Sequence, residues 1–239
     1  MSACIIIPAR YESSRFPGKP LAEINGKSMI CWVIDACRGA VADTDIMVAT
    51  DDERIGKLTS EYGCRTFMTP KDCKTGSDRI AEVAKLLDYD IIVGVQGDEP
   101  LIKPEDIKKV IEFKRIKHNS VICGYSWSRD FDNKNTIKVV THGSGNDEMI
   151  YMSRQQIPTG VRLFKRQVCV YGWYKEQLLR MYGPERAKGV FEGQEDIEIL
   201  RCLQYRQEVF MVEFKGKYQS VDIPSDIQKV EEIIKSNVK

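Results

Sequence analysis

Cys4-Ile5-Ile6-Ile7-Pro8-Ala9-Arg10-Tyr11-Glu12-Ser13-Ser14-Arg15-Phe16-Pro17-Gly18-Lys19 is the stretch that decides the fold. Its first four residues form a short, largely β-branched apolar run without a polar break, the pattern of a strand buried on both faces. Pro8 ends the run. The following loop carries three cations (Arg10, Arg15, Lys19), the hydroxyls of Ser13 and Ser14, and Gly18. Such cations can neutralise a triphosphate, and a glycine lets backbone amides approach phosphate oxygens. Neither G-x-x-x-x-G-K-[ST] nor G-x-G-x-x-G occurs, so this is not one of the common phosphate loops. A solvated basic loop is the plainer reading of an arbitrary segment of this kind. Its position at the end of a buried strand favours a phosphate site, because that is where open α/β sheets bind ligands.

Working outward, apolar spacing predicts a helix over 28–38, with Met29, Trp32, Val33 and Ala36 on one face. A strand over 45–49 follows, then a helix over 53–62 behind the N-cap candidates Thr50-Asp51-Asp52. The alternation continues with a strand over 65–68, a helix over about 78–87, a strand over 91–95 and a helix over about 104–114. Strands alternating with helices of this length predict an α/β fold: a mostly parallel central sheet flanked by helices. The loops after Ile7, Ala49 and Val95 should then meet over one crevice. From about Val121 the pattern shifts to strands over 137–141, 168–173 and 208–214, a helix over about 192–205 and a last helix opened by Asp222-Ile223-Pro224-Ser225-Asp226. The chain reads as one domain over 1–239. About 121–215 read as an extension packed on about 1–120, and about 216–239 as a return to that first part.

Composition narrows the function. The 239 residues include 36 Lys+Arg and 35 Asp+Glu, for a net charge of +1, which leaves no basic stripe for nucleic acid. With 42% hydrophobic and 30% charged residues the chain can bury a core, so disorder is not expected. No apolar run approaches the ~18 residues of a membrane span, and the start carries no basic region of a signal peptide. No two of the eight Cys form C-x-x-C, so they read as small buried residues, reduced in a cytoplasm. Only His118 and His142 are present, which excludes chemistry built on a histidine cluster. His118 and the lysines Lys103, Lys108, Lys109, Lys114 and Lys117 read as a solvated surface. Trp173, Tyr171 and Phe164 can line a pocket, although aromatic strand residues are usually core.

Two further loops carry chemistry. Gln96-Gly97-Asp98-Glu99-Pro100 puts a carboxylate at the end of an apolar strand, where Mg²⁺ could be held together with phosphate oxygens. A metal-free turn residue is the plainer alternative. Asp222 is a second candidate, or else a helix cap. Thr75-Gly76-Ser77-Asp78-Arg79 joins a strand end to a helix N-terminus and suits an anion or a base edge, or is a plain capping loop.

Together these strings resemble the 3-deoxy-manno-octulosonate (Kdo) cytidylyltransferases. The resemblance rests on Ile5 to Leu21, Ile24-Asn25-Gly26-Lys27, Val48-Ala49-Thr50-Asp51, Thr75 to Arg79, Gln96 to Pro100 and Val221-Asp222-x-Pro224-x-Asp226, and so spans nearly the whole chain. It implies a Rossmann-like nucleotidyltransferase fold, a cytoplasmic homodimer built through the second half, CTP as co-substrate, Mg²⁺ as cofactor and a place in lipopolysaccharide biosynthesis. By position it implies that Arg10, Ser14, Arg15 and Lys19 hold the phosphates, with Lys19, Arg10 and Asp98 catalytic. Pro8, Ala9, Thr75, Ser77 and Arg79 would recognise cytosine and ribose. Asp98 and Asp222 would bind Mg²⁺, and Gln96, Arg154, Gln167, Tyr171 and Glu198 would face the acceptor. The implied reaction is attack of the sugar's anomeric hydroxyl on the α-phosphate of CTP, releasing pyrophosphate.

The departures lie on the sugar side. The family pattern Arg-His-(Leu/Ile)-Gly-Ile-Tyr is Arg166-Gln167-Val168-Cys169-Val170-Tyr171 here, and Glu-Gln-Leu-Arg is Glu198-Ile199-Leu200-Arg201. These changes predict an acceptor site with less positive charge and a more apolar wall. Alternative acceptors are an 8-amino Kdo analogue, another nonulosonic-type acid, or a smaller carboxylate or phosphonate acid. A reading of another class is a non-catalytic nucleotide-binding protein, against which Arg10, Lys19, Asp98 and Asp222 all stand.

Overall fold

The computed structural model describes residues 1–131, 133–143 and 146–237. The strands are β1 (Ala3–Ala9), β2 (Glu23–Ile24), β3 (Lys27–Ser28), β4 (Ile46–Thr50), β5 (Arg65–Met68), β6 (Ile91–Val95), β7 (Val121–Ser128), β8 (Lys138–Gly143), β9 (Asn146–Ser153), β10 (Phe164–Tyr174) and β11 (Val209–Glu213). The helices are α1 (Met29–Arg38), α2 (Glu53–Glu61), α3 (Gly76–Ala84), α4 (Pro104–Ile116), α5 (Lys175–Met181), α6 (Val190–Glu195), α7 (Arg201–Gln204) and α8 (Asp226–Asn237).

Nine strands make one sheet in the order β5-β4-β1-β6-β10-β7-β11-β9-β8. The first four run parallel, as βαβ alternation requires. β10 then pairs antiparallel with both β6 and β7, so the second half continues the sheet of the first. Within this sheet every antiparallel pairing involves a strand of this half, while β11 runs parallel to β7. β8 also pairs back onto β10, and the last five strands close on themselves.

The β1 run explains the two-sided core. Cys4 and Ile6 pack with Ile80 and Ala84 of α3 on one face. Ile5 and Ile7 pack with Val33 and Ile34 of α1 on the other. Alternate residues thus enter opposite layers, and a strand sandwiched in this way must be apolar throughout. The last helix, α8, packs against the β2–β3 hairpin through Val230, with Ile24, Met29 and Val221 buried beside it.

Two expectations need correction, while His118 is exposed as expected. The helix over 192–205 is broken: α6 ends at Asp196, whose φ of 53° is left-handed, and one tight turn at Glu198–Leu200 precedes α7. Lys114 is not solvated. Its amine is buried against the carbonyls of His118 and Ser120 at 2.9 and 2.7 Å, and burial lowers its pKa to about 8. His118 stacks on Tyr174, whose hydroxyl lies 2.6 Å from Nδ1. Among the described residues no disulfide joins the eight cysteines, all of them buried except the half-buried Cys169.

Candidate active site

The loop after β1 is closed by Gly18, whose amide donates to the Tyr11 carbonyl at 2.8 Å from a left-handed φ of 71°. That closure turns Arg10, Ser14, Arg15 and Lys19 into one cavity of about 640 Å³. The loop after β6 forms its floor. A Cβ on Gly97 would lie 2.9 Å from the Pro8 carbonyl, so glycine permits the two loops to touch.

The cavity gathers the residues singled out from the sequence. Pro8, Ala9, Arg10, Ser14, Arg15 and Lys19 line it from β1. Thr75 and Arg79 contribute from α3, and Gln96, Asp98 and Asp222 from the floor. Arg154, Gln167, Tyr171 and Glu198 close the opposite wall. Ser77 is the exception: it is fully buried behind the wall, and its amide donates to Glu198 Oε2 at 3.0 Å. Thr75 uses its side chain as the α3 cap, accepting from the Asp78 amide at 3.1 Å. Arg79 lines the cavity while holding Asp51 at 2.7 Å and the Thr69 hydroxyl. Ile199 does not line the cavity. It is fully buried in the core, so the expected apolar acceptor wall is not built by this residue.

The two candidate metal ligands meet across 124 positions of sequence. Asp222 has its pKa raised by burial and next by the charge of Asp98, against the pull of Lys19, Arg15 and Arg154. Lys19 Nζ donates to Asp98 Oδ2 at 2.6 Å and to the Val221 carbonyl at 2.9 Å. Arg15 donates to Asp222 Oδ1 at 2.8 Å and to Asn135 at 2.5 Å. Asp222 is not the cap of α8. Asp226 opens that helix and holds the preceding turn, accepting from the amides of Asp222 and Ile223. Two carboxylates facing one polar cleft beside the cations of the β1 loop are a donor set that fits Mg²⁺ if phosphate oxygens complete the shell. Among the described residues no group of three His, Cys, Asp or Glu could hold a metal without such help.

The opposite wall is richer in acceptors than the sequence suggested. Glu198 Oε1 accepts from Gln96 Nε2 at 2.5 Å, and burial raises its carboxyl to about 7. Glu99 is also raised to about 7 by burial, countered by Arg166, and accepts from the Cys169 amide. Gln167 Nε2 donates to Tyr171 Oη at 3.2 Å, which leaves Oε1 without a partner. Arg154 is held by the carbonyls of Glu195 and Asp196 at 3.1 and 3.0 Å. Asn135, Arg166 and Glu195 were not foreseen as site residues. They reach the cavity only through the pairing of β8 and β10 and the fold of α6, which no local pattern announces.

Comparisons with known proteins show the family of the chain. A family model described as cytidylyltransferase matches residues 4–209. A 3-deoxy-manno-octulosonate cytidylyltransferase of Geobacter metallireducens is 38% identical, covering 97% of each chain. An 8-amino-3,8-dideoxy-manno-octulosonate cytidylyltransferase of a Shewanella species is 36% identical over 97% of this chain and 98% of its own. A solved CMP:2-keto-3-deoxy-manno-octonic acid synthetase, complexed with CTP, superposes with a TM-score of 0.87. It is 29% identical and covers 99% of this chain and 100% of its own.

Proposed function

The chain belongs to the cytidylyltransferase family, as an enzyme of the 3-deoxy-manno-octulosonate cytidylyltransferase type, and on that premise we propose that it moves CMP from CTP to the anomeric hydroxyl of Kdo or a closely related acidic sugar, releasing pyrophosphate. The observation that carries this reading is the single cavity, which joins a basic phosphate loop, paired carboxylates and an acceptor wall.

In this reading Arg10, Ser14, Arg15 and Lys19 hold the triphosphate, and Lys19 neutralises charge on the pyrophosphate as it leaves. Thr75, Arg79 and the backbone at Pro8 and Ala9 bound the nucleoside pocket, with Ser77 supporting it from behind. Gln96, Arg154, Gln167, Tyr171 and Glu198 orient the acceptor so that its hydroxyl faces the α-phosphorus in line with the leaving oxygen. Asp98 and Asp222 would hold Mg²⁺, which supplies charge neutralisation and acidifies the attacking hydroxyl. Neither histidine is among the residues lining the cavity, so the protein's contribution is position and charge.

An amino-bearing acceptor is the second reading. The unpaired Gln167 Oε1 accepts a hydrogen bond, and a relative of similar identity bears the name of the 8-amino substrate. Exposed Trp127, Ile150, Leu163 and Phe191 in the second half support a homodimer there. Eight buried or half-buried cysteines without a disulfide among the described residues support a reducing compartment, the cytoplasm. Among the described residues no helix is long and apolar enough to cross a membrane. The test is pyrophosphate release from CTP and Mg²⁺ with a panel of Kdo, its 8-amino analogue, other nonulosonic acids and small acids. Release only with a non-sugar acid, or with none of the panel, would refute the proposal.

A further inference from the structure

A buried ion cluster that no step above uses lies at the cavity's edge, with Glu192 lining the cavity and Asp78 and Arg201 behind it. Arg201 is fully buried, and its guanidinium is forked between two carboxylates that are also buried. Nε and Nη2 donate to the two oxygens of Glu192, each at 2.7 Å. Nη1 and Nη2 donate to the two oxygens of Asp78, at 2.6 and 3.2 Å, and Nη1 also reaches the Met181 carbonyl. Each carboxylate is further held by backbone: Asp78 by the Gly183 amide and Glu192 by the Gly189 amide.

These partners belong to different walls of the cavity. Asp78 sits in the first turn of α3, inside the Thr75–Arg79 loop. Glu192 and Arg201 belong to the broken-helix segment, which also supplies Glu195 and Glu198 to the opposite wall. Glu198 makes a parallel link, accepting from the Ser77 amide on one side and Gln96 on the other. A buried ion cluster is weak evidence for stability, since apolar residues of similar size often serve as well. What the fork adds is geometry: its donors fix the relative position of two backbone segments.

We infer that Arg201 is a positioning residue that locks the nucleotide loop to the acceptor wall, so that binding of CTP and binding of the acceptor strengthen each other. The inference rests on the proposed reading of the two walls. An acceptor that orders the segment carrying Glu195 and Glu198 also orders, through Arg201 and Asp78, the loop that receives the nucleotide. CTP then binds a surface already organised, and by linkage the reverse holds equally.

The test measures CTP affinity by calorimetry, with and without a saturating acceptor analogue that lacks the attacking hydroxyl. The wild type should bind CTP at least about fivefold more tightly with the analogue present. The triple variant Asp78→Asn, Glu192→Gln, Arg201→Met removes the charges while keeping acceptors for the Gly183 and Gly189 amides. It should stay folded by circular dichroism and show a coupling factor below about twofold. If it does not fold, Arg201→Lys, a point charge that cannot fork, is held to the same criterion. Wild-type CTP affinity indifferent to the analogue, or a folded variant with undiminished coupling, would overturn the inference. A wild type that binds neither ligand refutes the proposed function itself, and the inference falls with it.

Discussion

Gly76→Ala should damage activity while leaving stability almost unchanged. Gly76 is the first residue of α3, its φ is not left-handed, and alanine fits the backbone there. The obstacle is across the cavity floor: a Cβ at this position would lie 2.6 Å from both Gln96 Oε1 and Nε2. Reaching ordinary contact moves the Gln96 amide by about 0.8 Å, away from its 2.5 Å bond to Glu198. The lost bond costs about 1 kcal/mol, and replacing glycine in a helix returns up to about 1 kcal/mol. The melting temperature should therefore stay close to the wild type. Misplacing an acceptor-orienting group by nearly 1 Å is worth about 10²-fold in rate, about 2.7 kcal/mol. Pyrophosphate release with varied acceptor at saturating CTP should show that fall in kcat/KM, and thermal unfolding the near-constant stability. A variant with wild-type kcat/KM, or one whose loss merely tracks unfolding, would refute the placement of Gln96 against the acceptor.

Three further outcomes follow from the same geometry. Asp98→Asn and Asp222→Asn should each cut turnover by about 10³-fold or more without unfolding, as EDTA should in the wild type; because Asp222 lies ahead of α8 and bonds Arg15, near-normal turnover by Asp222→Asn would refute a shared metal site. CTP should be preferred over ATP and GTP, with UTP the nearest competitor, since cytosine and uracil differ only in hydrogen-bond polarity; equal turnover of ATP would contradict the pocket assignment. Glu198, raised by burial to about 7 from 4.5, contributes stability that is fully present below its unfolded pKa and lost as pH rises through about 7. Melting curves of Glu198→Gln should therefore gain on the wild type between about pH 5 and 8, and a constant difference would show that Glu198 does not titrate there.

The nucleotide half was legible because its signals are local. An unbroken β-branched run can only be a strand buried on both sides, and β1 and β6 put their loops over one crevice as parallel topology requires, whereas the loop after β4 reaches it only through the Asp51–Arg79 ion pair. The acceptor half was less legible because its signals are not local. Nothing in the apolar pattern near Asp196 marks a left-handed residue, so one helix was expected where the chain turns twice. Lys114 looks like its solvated neighbours until the helix end turns three carbonyls towards its amine. Ile199 and Glu198 are adjacent, yet one faces the core and the other the cavity, a division set by the broken helix. The meeting of Asp98 with Asp222 came from family resemblance, and local pattern alone could not have supplied it.

The most direct test of the central claim is to incubate the purified protein with CTP, Mg²⁺ and Kdo and to identify the product by mass spectrometry and phosphorus NMR. The account predicts a CMP–sugar phosphodiester formed in equal amount with pyrophosphate, from Kdo or its 8-amino analogue. CTP hydrolysed without a sugar conjugate, or left intact with every acidic sugar supplied, would contradict it.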